Sequence, residues 1–149
     1  RQIVKKSQEM FGKVKIIFLE NYNMWLGRMI TSGVDLWLNT PLRPNEASGS
    51  SGMKATLNGI PNLSVLDGWW EEGCQNGING WAIGNTQNSN DNKDADRLYS
   101  ILENEVIPTF YNNRKKWIKM MKESIKTGVD FTAHRMIKEY ESKYYKLGE

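Results

Sequence analysis

"GVDLWLNTPLRPNEASGSSGMKATLNGIPNLSVLD", residues 33–67, decides how the chain is read. It opens on "GVDLWLN", an apolar stretch of strand length. A loop of small and polar residues follows and runs into "SGMKATLNG", a short helix with Gly59 placed to cap its C-terminus. "NLSVLD" then reads as another strand. A strand–helix–strand unit with short connections predicts a parallel pair. The right-handed crossover rule puts the loop after each strand on one edge of the sheet. Ligands of such sheets bind at the carboxyl ends of the strands, so the loop 39–52 lies where a ligand would.

The pattern extends outward from this unit. Ile3, Val4, Met10 and Phe11 mark a helix over residues 2–11. "VKIIFLE" (14–20) is a continuous apolar run, as in a strand covered on both faces. "NMWLGRMITS" reads as a helix with Met24, Leu26, Met29 and Ile30 on its buried side. "NGWAIG" is a further short strand. "NTQNSNDNKD" (85–94) reads as a surface loop, with Asp94 or its neighbours capping the next helix. Three helices follow, with Pro108 expected to separate the first two and Gly128 the second pair. The basic run "NNRKKWIKMMKESIK" reads as a solvated helix face. No linker divides the chain, so residues 1–149 are expected to form one partial Rossmann-like α/β domain, with C-terminal helices from about 95 to 147.

Composition narrows the function. A net charge of +3 makes no case for nucleic acid. One cysteine excludes an internal disulfide and a Cys-rich metal site, and one histidine argues against a His-based metal cage or a Ser-His-Asp triad. No apolar run approaches the ~18 residues of a membrane span, and no signal peptide is visible, so the expected address is the cytoplasm. "NLS" at Asn62 matches a glycosylation sequon in a context that is not secretory. The chain begins with Arg1 inside a helical pattern, which suggests an excerpt of a longer protein.

The loop carries its own chemistry. Small residues at 47–52 let backbone approach a ligand closely. A helix starting near Ser51 directs free N–H groups at the loop, and such a start suits a phosphate or a sugar hydroxyl. Lys54, read as lying in the first turn, would oppose the helix dipole. It could pair with a ligand anion. Its amine could instead be freed as a nucleophile by the dipole and burial, as a Schiff base with pyridoxal phosphate (PLP) requires. An exposed lysine on an amphipathic helix explains it equally well. Glu46 is either a surface carboxylate or an acceptor for sugar hydroxyls. The three tryptophans of "GWWEEGCQNGINGW" (68–81) suit a sugar site or a loop packed on a core.

"EASGSSGMKATLNGIPNLSVLDGWWEEG" resembles the α-glucan (glycogen/maltodextrin) phosphorylases, most closely the shorter bacterial and archaeal type. The family pattern is roughly E-A-S-G-T-[SG]-[GN]-M-K, then L-N-G and L-D-G, with Ser50 here in place of the usual Thr. "KIIFLENYNMWLGRMI", "NGWAIG" and "LENEVIPTFYNN" also look like that family. The resemblance covers nearly all of residues 14–147. It implies a two-domain GT-B enzyme of which this chain is most of the C-terminal domain, and reversible phosphorolysis of terminal α-1,4-glucosyl units to glucose 1-phosphate. It implies PLP on Lys54 as a Schiff base, Ser50 and Ser51 on the PLP phosphate with Gly52 nearby, and Tyr22 approaching the cofactor. Glu46, Ser48 and Gly49 would face the glucosyl hydroxyls. The same resemblance implies that the N-terminal domain and a basic phosphate-binding segment belong to the full-length protein, which is often a homodimer, and that this chain alone is inactive or nearly so.

Two other readings stand beside it. Glycogen and starch synthases share the fold and a Glu-led loop, but they carry a second Glu in the helix where this chain has Met53 and Lys54. A non-catalytic carbohydrate- or PLP-binding module is the other.

Overall fold

The computed structural model describes residues 2–85 and 91–145. Helix α1 spans Gln2–Glu9 and α2 spans Met24–Gly33. Strand β1 (Trp37–Asn39) leads through the loop to α3 (Ser50–Leu57), then to β2 (Asn62–Val65). A single turn, α4 (Trp70–Gly73), precedes β3 (Gly80–Ile83). Helices α5 (Asp91–Ile101), α6 (Ile107–Asn112), α7 (Arg114–Asp130) and α8 (Ala133–Tyr140) complete the chain.

The three strands form one parallel sheet in the order β1-β2-β3, the arrangement expected from the alternation of strands and helices. Leu38 stands beside Leu63, and Leu63 beside Trp81. The central strand β2 is buried throughout, and its two faces meet different partners. Leu63 and Val65 join Trp81, Ile83, Ile101, Val106, Trp117 and Met120 in the apolar core between the sheet and helices α5–α7. On the other face Asn62 donates from Nδ2 to Thr56 Oγ1 of α3 at 2.6 Å. Asn62 is therefore a buried structural amide, and the sequon at this position is inaccessible.

Buried polar groups tie the loop before β3 to α7. Asn79 Nδ2 donates to Thr127 Oγ1 and to the Gly73 carbonyl, each at 2.8 Å, and Ser124 Oγ donates to the Asn79 carbonyl at 2.9 Å. Trp70 and Trp81 are fully buried, and Trp70 Nε1 donates to the Trp81 carbonyl. These two tryptophans belong to the core. The lysines of α7 are exposed, as a solvated basic face requires.

Several expectations are corrected. Residues 14–20 form no strand. They are exposed, Phe18 to 75%, because no described strand lies beside them to take up their backbone groups. Helix α2 forms as expected and packs on α3, but Met24 and Met29 are exposed and the buried positions are Gly27 and Thr31. Pro108 does not end a helix. It falls in the first turn of α6, just after a π-helical stretch (Leu102–Val106), where a missing N–H is tolerated. The break comes at Asn113, whose side chain caps α7 by accepting from the Lys116 N–H at 3.0 Å.

Gly128 lies inside α7, not between helices. A Cβ there would come 3.0 Å from the backbone N of Leu57, so the glycine lets α7 press against α3. Asp94 lies within α5, not at its cap. The expected loop at 85–94 falls partly, and the end of the C-terminal helix at 146–147 wholly, outside the described residues. No helix among the described residues is long and apolar enough to cross a membrane.

Candidate functional site

The loop between β1 and α3 is pinned to the end of β2. The Glu46 N–H donates to Asp67 Oδ2 at 3.0 Å, and the Gly68 N–H donates to Asp67 Oδ1 at 3.0 Å. Asn39, the last residue of β1, donates from Nδ2 to Glu46 Oε2 at 3.3 Å. The Trp69 N–H donates to the Ser48 carbonyl at 2.8 Å. Arg43 donates to the Leu66 carbonyl and pairs with Glu71. Asp67 is buried, and both its oxygens are used in holding this turn. Glu46 is half-buried, so its carboxylate is oriented by Asn39 at the carboxyl end of the sheet, the edge where the loop was expected.

The glycines of the loop have a packing reason. Gly49 caps α3 with φ +87°, a left-handed conformation that disfavours other residues. A Cβ on Gly49 would lie 2.9 Å from Trp69 Cδ1, and one on Gly52 would lie 2.8 Å from Asn62 Oδ1 and 2.9 Å from Trp69 Nε1. The small residues thus let the loop and the helix start lie flat on the Trp69 indole. The sequence pattern alone assigned that smallness to a ligand.

The helix begins one residue earlier than expected, and this changes the reading of Lys54. Lys54 is the fifth residue of α3 and falls in its last turn, where a cation complements the dipole. It is also exposed. Neither opposition to the dipole nor burial therefore sets it apart. What does is its surroundings. Lys54 lines a cavity of about 820 Å³ between α2 and α3, together with Tyr22, Arg28, Thr31, Ser51 and Asn58. No carboxylate lines that cavity, and the Lys54 ammonium has no ion-pair partner among the described residues. The Tyr22 ring folds over Gly27, where a Cβ would come 2.6 Å from its hydroxyl.

The structure thus brings Tyr22, Ser51 and Lys54 to one cavity. Ser48 lines a different one, of about 600 Å³, with Ala47, Met53, Trp69, Phe131 and Arg135. Glu46, Gly49, Ser50 and Gly52 line neither of the two, although Ser50 is exposed at the first position of α3. Sequence reasoning did not single out Arg28, Asn39 or Asp67, whereas Trp69 was among the tryptophans left open between a sugar site and core packing. Asp67 stood in the quoted L-D-G element and Asn39 at a strand end, which were the available signals. Arg28 was hidden because the apolar face of α2 was taken to be the packed one.

A parallel α/β unit with ligand-sized cavities beside the loop that leaves a strand's carboxyl end is a small-molecule-binding architecture. Residues 1–72 match the family model described as carbohydrate phosphorylase. The chain is 56% identical to the maltodextrin phosphorylase of Thermococcus litoralis over 97% of its own length and 18% of that protein's. It is 50% identical to a glycogen phosphorylase of Aquifex aeolicus, covering 88% of this chain and 20% of the relative. A glycogen phosphorylase of Mycobacterium tuberculosis is 39% identical over 97% of this chain and 18% of its own length. The chain is thus similar to carbohydrate phosphorylases along most of its own length, and it spans about a fifth of the length of these relatives.

Proposed function

We propose that this chain is part of the C-terminal domain of a GT-B α-glucan phosphorylase, and that it carries the PLP site of the full-length cytoplasmic enzyme. The reaction is the reversible phosphorolysis of a terminal α-1,4-glucosyl unit to glucose 1-phosphate. The observation that carries the reading is the cavity shared by Lys54, Ser51 and Tyr22. Its volume falls in the ~300–1,000 Å³ range of small-molecule sites; beside apolar Met24 and Leu57 its polar lining is cationic, hydroxylic and amide with no carboxylate, which suits an anionic aldehyde. Lys54 supplies the amine, reachable from solvent and held by no ion pair among the described residues. Ser51 supplies a hydroxyl to the phosphate, and Ser50 a second one from the exposed start of α3. Gly52 keeps the helix start close to Trp69.

When bound, the cofactor supplies its phosphate as a proton relay to the substrate phosphate. The chain's own residues orient the sugar. Glu46, held by Asn39 and by the Asp67-anchored backbone, accepts from glucosyl hydroxyls. Ser48 binds the sugar from the side of the second cavity, and the backbone at Gly49 from the adjoining helix start. The N-terminal domain and a basic phosphate-binding segment of the full-length protein complete the cleft, so this chain alone turns over little or no glucan. The names of the relatives support the glucan and phosphate assignment. The synthase reading is disfavoured because α3 contains no carboxylate.

The test is Lys54→Ala in the full-length protein. It should abolish covalent attachment of PLP and phosphorolysis together. An active Lys54→Ala enzyme that still carries PLP would overturn the proposal.

A further inference from the structure

We propose that Arg28 is the cation that binds the cofactor's phosphate in the α2–α3 cavity. The inference rests on the cofactor reading above and extends it to a residue outside the phosphorylase loop motif. Arg28 and Lys54 are the two cations of the cavity lining, and no carboxylate there offsets them. Arg43, Arg97 and Arg135 each pair with a glutamate, whereas Arg28 has no ion-pair partner among the described residues. The packing of α2 on α3 places Arg28 at the cavity that Ser51 and Lys54 also line.

The chemistry of attachment sharpens the assignment. When the Lys54 amine condenses with an aldehyde, a C=N bond forms and the carbonyl oxygen leaves as water. Nζ is then committed to that bond and cannot also serve as a free ammonium for the phosphate. Ser51 and Tyr22 offer only neutral hydroxyls. The planar guanidinium fork of Arg28 matches two phosphate oxygens at once.

The test titrates the full-length apoprotein with PLP and, separately, with pyridoxal, which has the aldehyde but no phosphate. Absorbance of the Schiff base and fluorescence quenching report binding. Arg28→Gln should weaken PLP about tenfold or more, the loss of one charge-assisted contact. It should leave pyridoxal affinity and the melting temperature unchanged. Arg28→Lys should restore part of the PLP affinity. Unchanged PLP affinity in Arg28→Gln, or equal weakening of PLP and pyridoxal, would overturn the assignment. Wild-type protein that takes up neither compound would overturn the cofactor reading, and this assignment with it.

Discussion

The backbone N–H of Glu46 donates to the buried carboxylate of Asp67 at 3.0 Å, across the ends of two neighbouring parallel strands. The loop before α3 therefore has a fixed foot. The other Asp67 oxygen accepts from Gly68, so one side chain holds both the loop and the turn after β2.

Asp67→Ala should leave two N–H donors without their acceptor. Each such loss in a buried setting costs about 1–3 kcal/mol, so the variant should unfold at clearly lower urea. Equilibrium denaturation of the full-length protein measures this. A midpoint equal to wild type would show that the clamp contributes nothing.

Cys74 is part-buried, and burial pushes its thiol pKa up to about 12. The nucleophilic form is the thiolate, so at pH 7.5 this residue should be almost inert. Iodoacetamide should label Cys74 far more slowly in the native protein than in urea, with mass spectrometry following the rate. Native labelling as fast as that of a free thiol would contradict the packing around α4.

The hydrogen bond from Lys143, followed by that from Arg135, holds the Glu139 carboxyl down to about 2. The folded pKa is depressed, so the stabilising contribution is present above the unfolded pKa and lost as pH falls through the folded one. The pair lies on the surface of the C-terminal helices, and salt should screen it. Carboxyl NMR titration should place Glu139 near that value, and Lys143→Met should raise it. An unperturbed titration in wild type would show that the Arg135–Glu139–Lys143 cluster does not persist in solution.

The parallel unit at 33–67 was legible because period, length and turn residues agree there. The strand–helix–strand order, the Gly59 cap and the position of the loop all follow from local pattern. Residues 14–20 were misread because an apolar run specifies what a strand looks like and not whether a neighbour is there to bond it. The packed face of α2 was misread for a related reason. Its buried positions Gly27 and Thr31 are small rather than strongly apolar, and at Gly27 the Tyr22 hydroxyl leaves no room for a Cβ. Gly128 makes the same point, since a glycine in a helix interior signals a neighbour as readily as a break. Of the site, the loop residues were visible as a motif. Asp67 and Arg28 needed three dimensions, because the first acts on a segment 21 residues away and the second shares a cavity with Lys54 only when α2 folds onto α3.

The direct experiment is to incubate the full-length protein with PLP, reduce with borohydride, digest, and locate the modified lysine by mass. A pyridoxyl group on Lys54, in preference to the other lysines, is the predicted result. A single label on another lysine, or no label above the level of scattered surface reaction, would contradict Lys54 as the cofactor lysine.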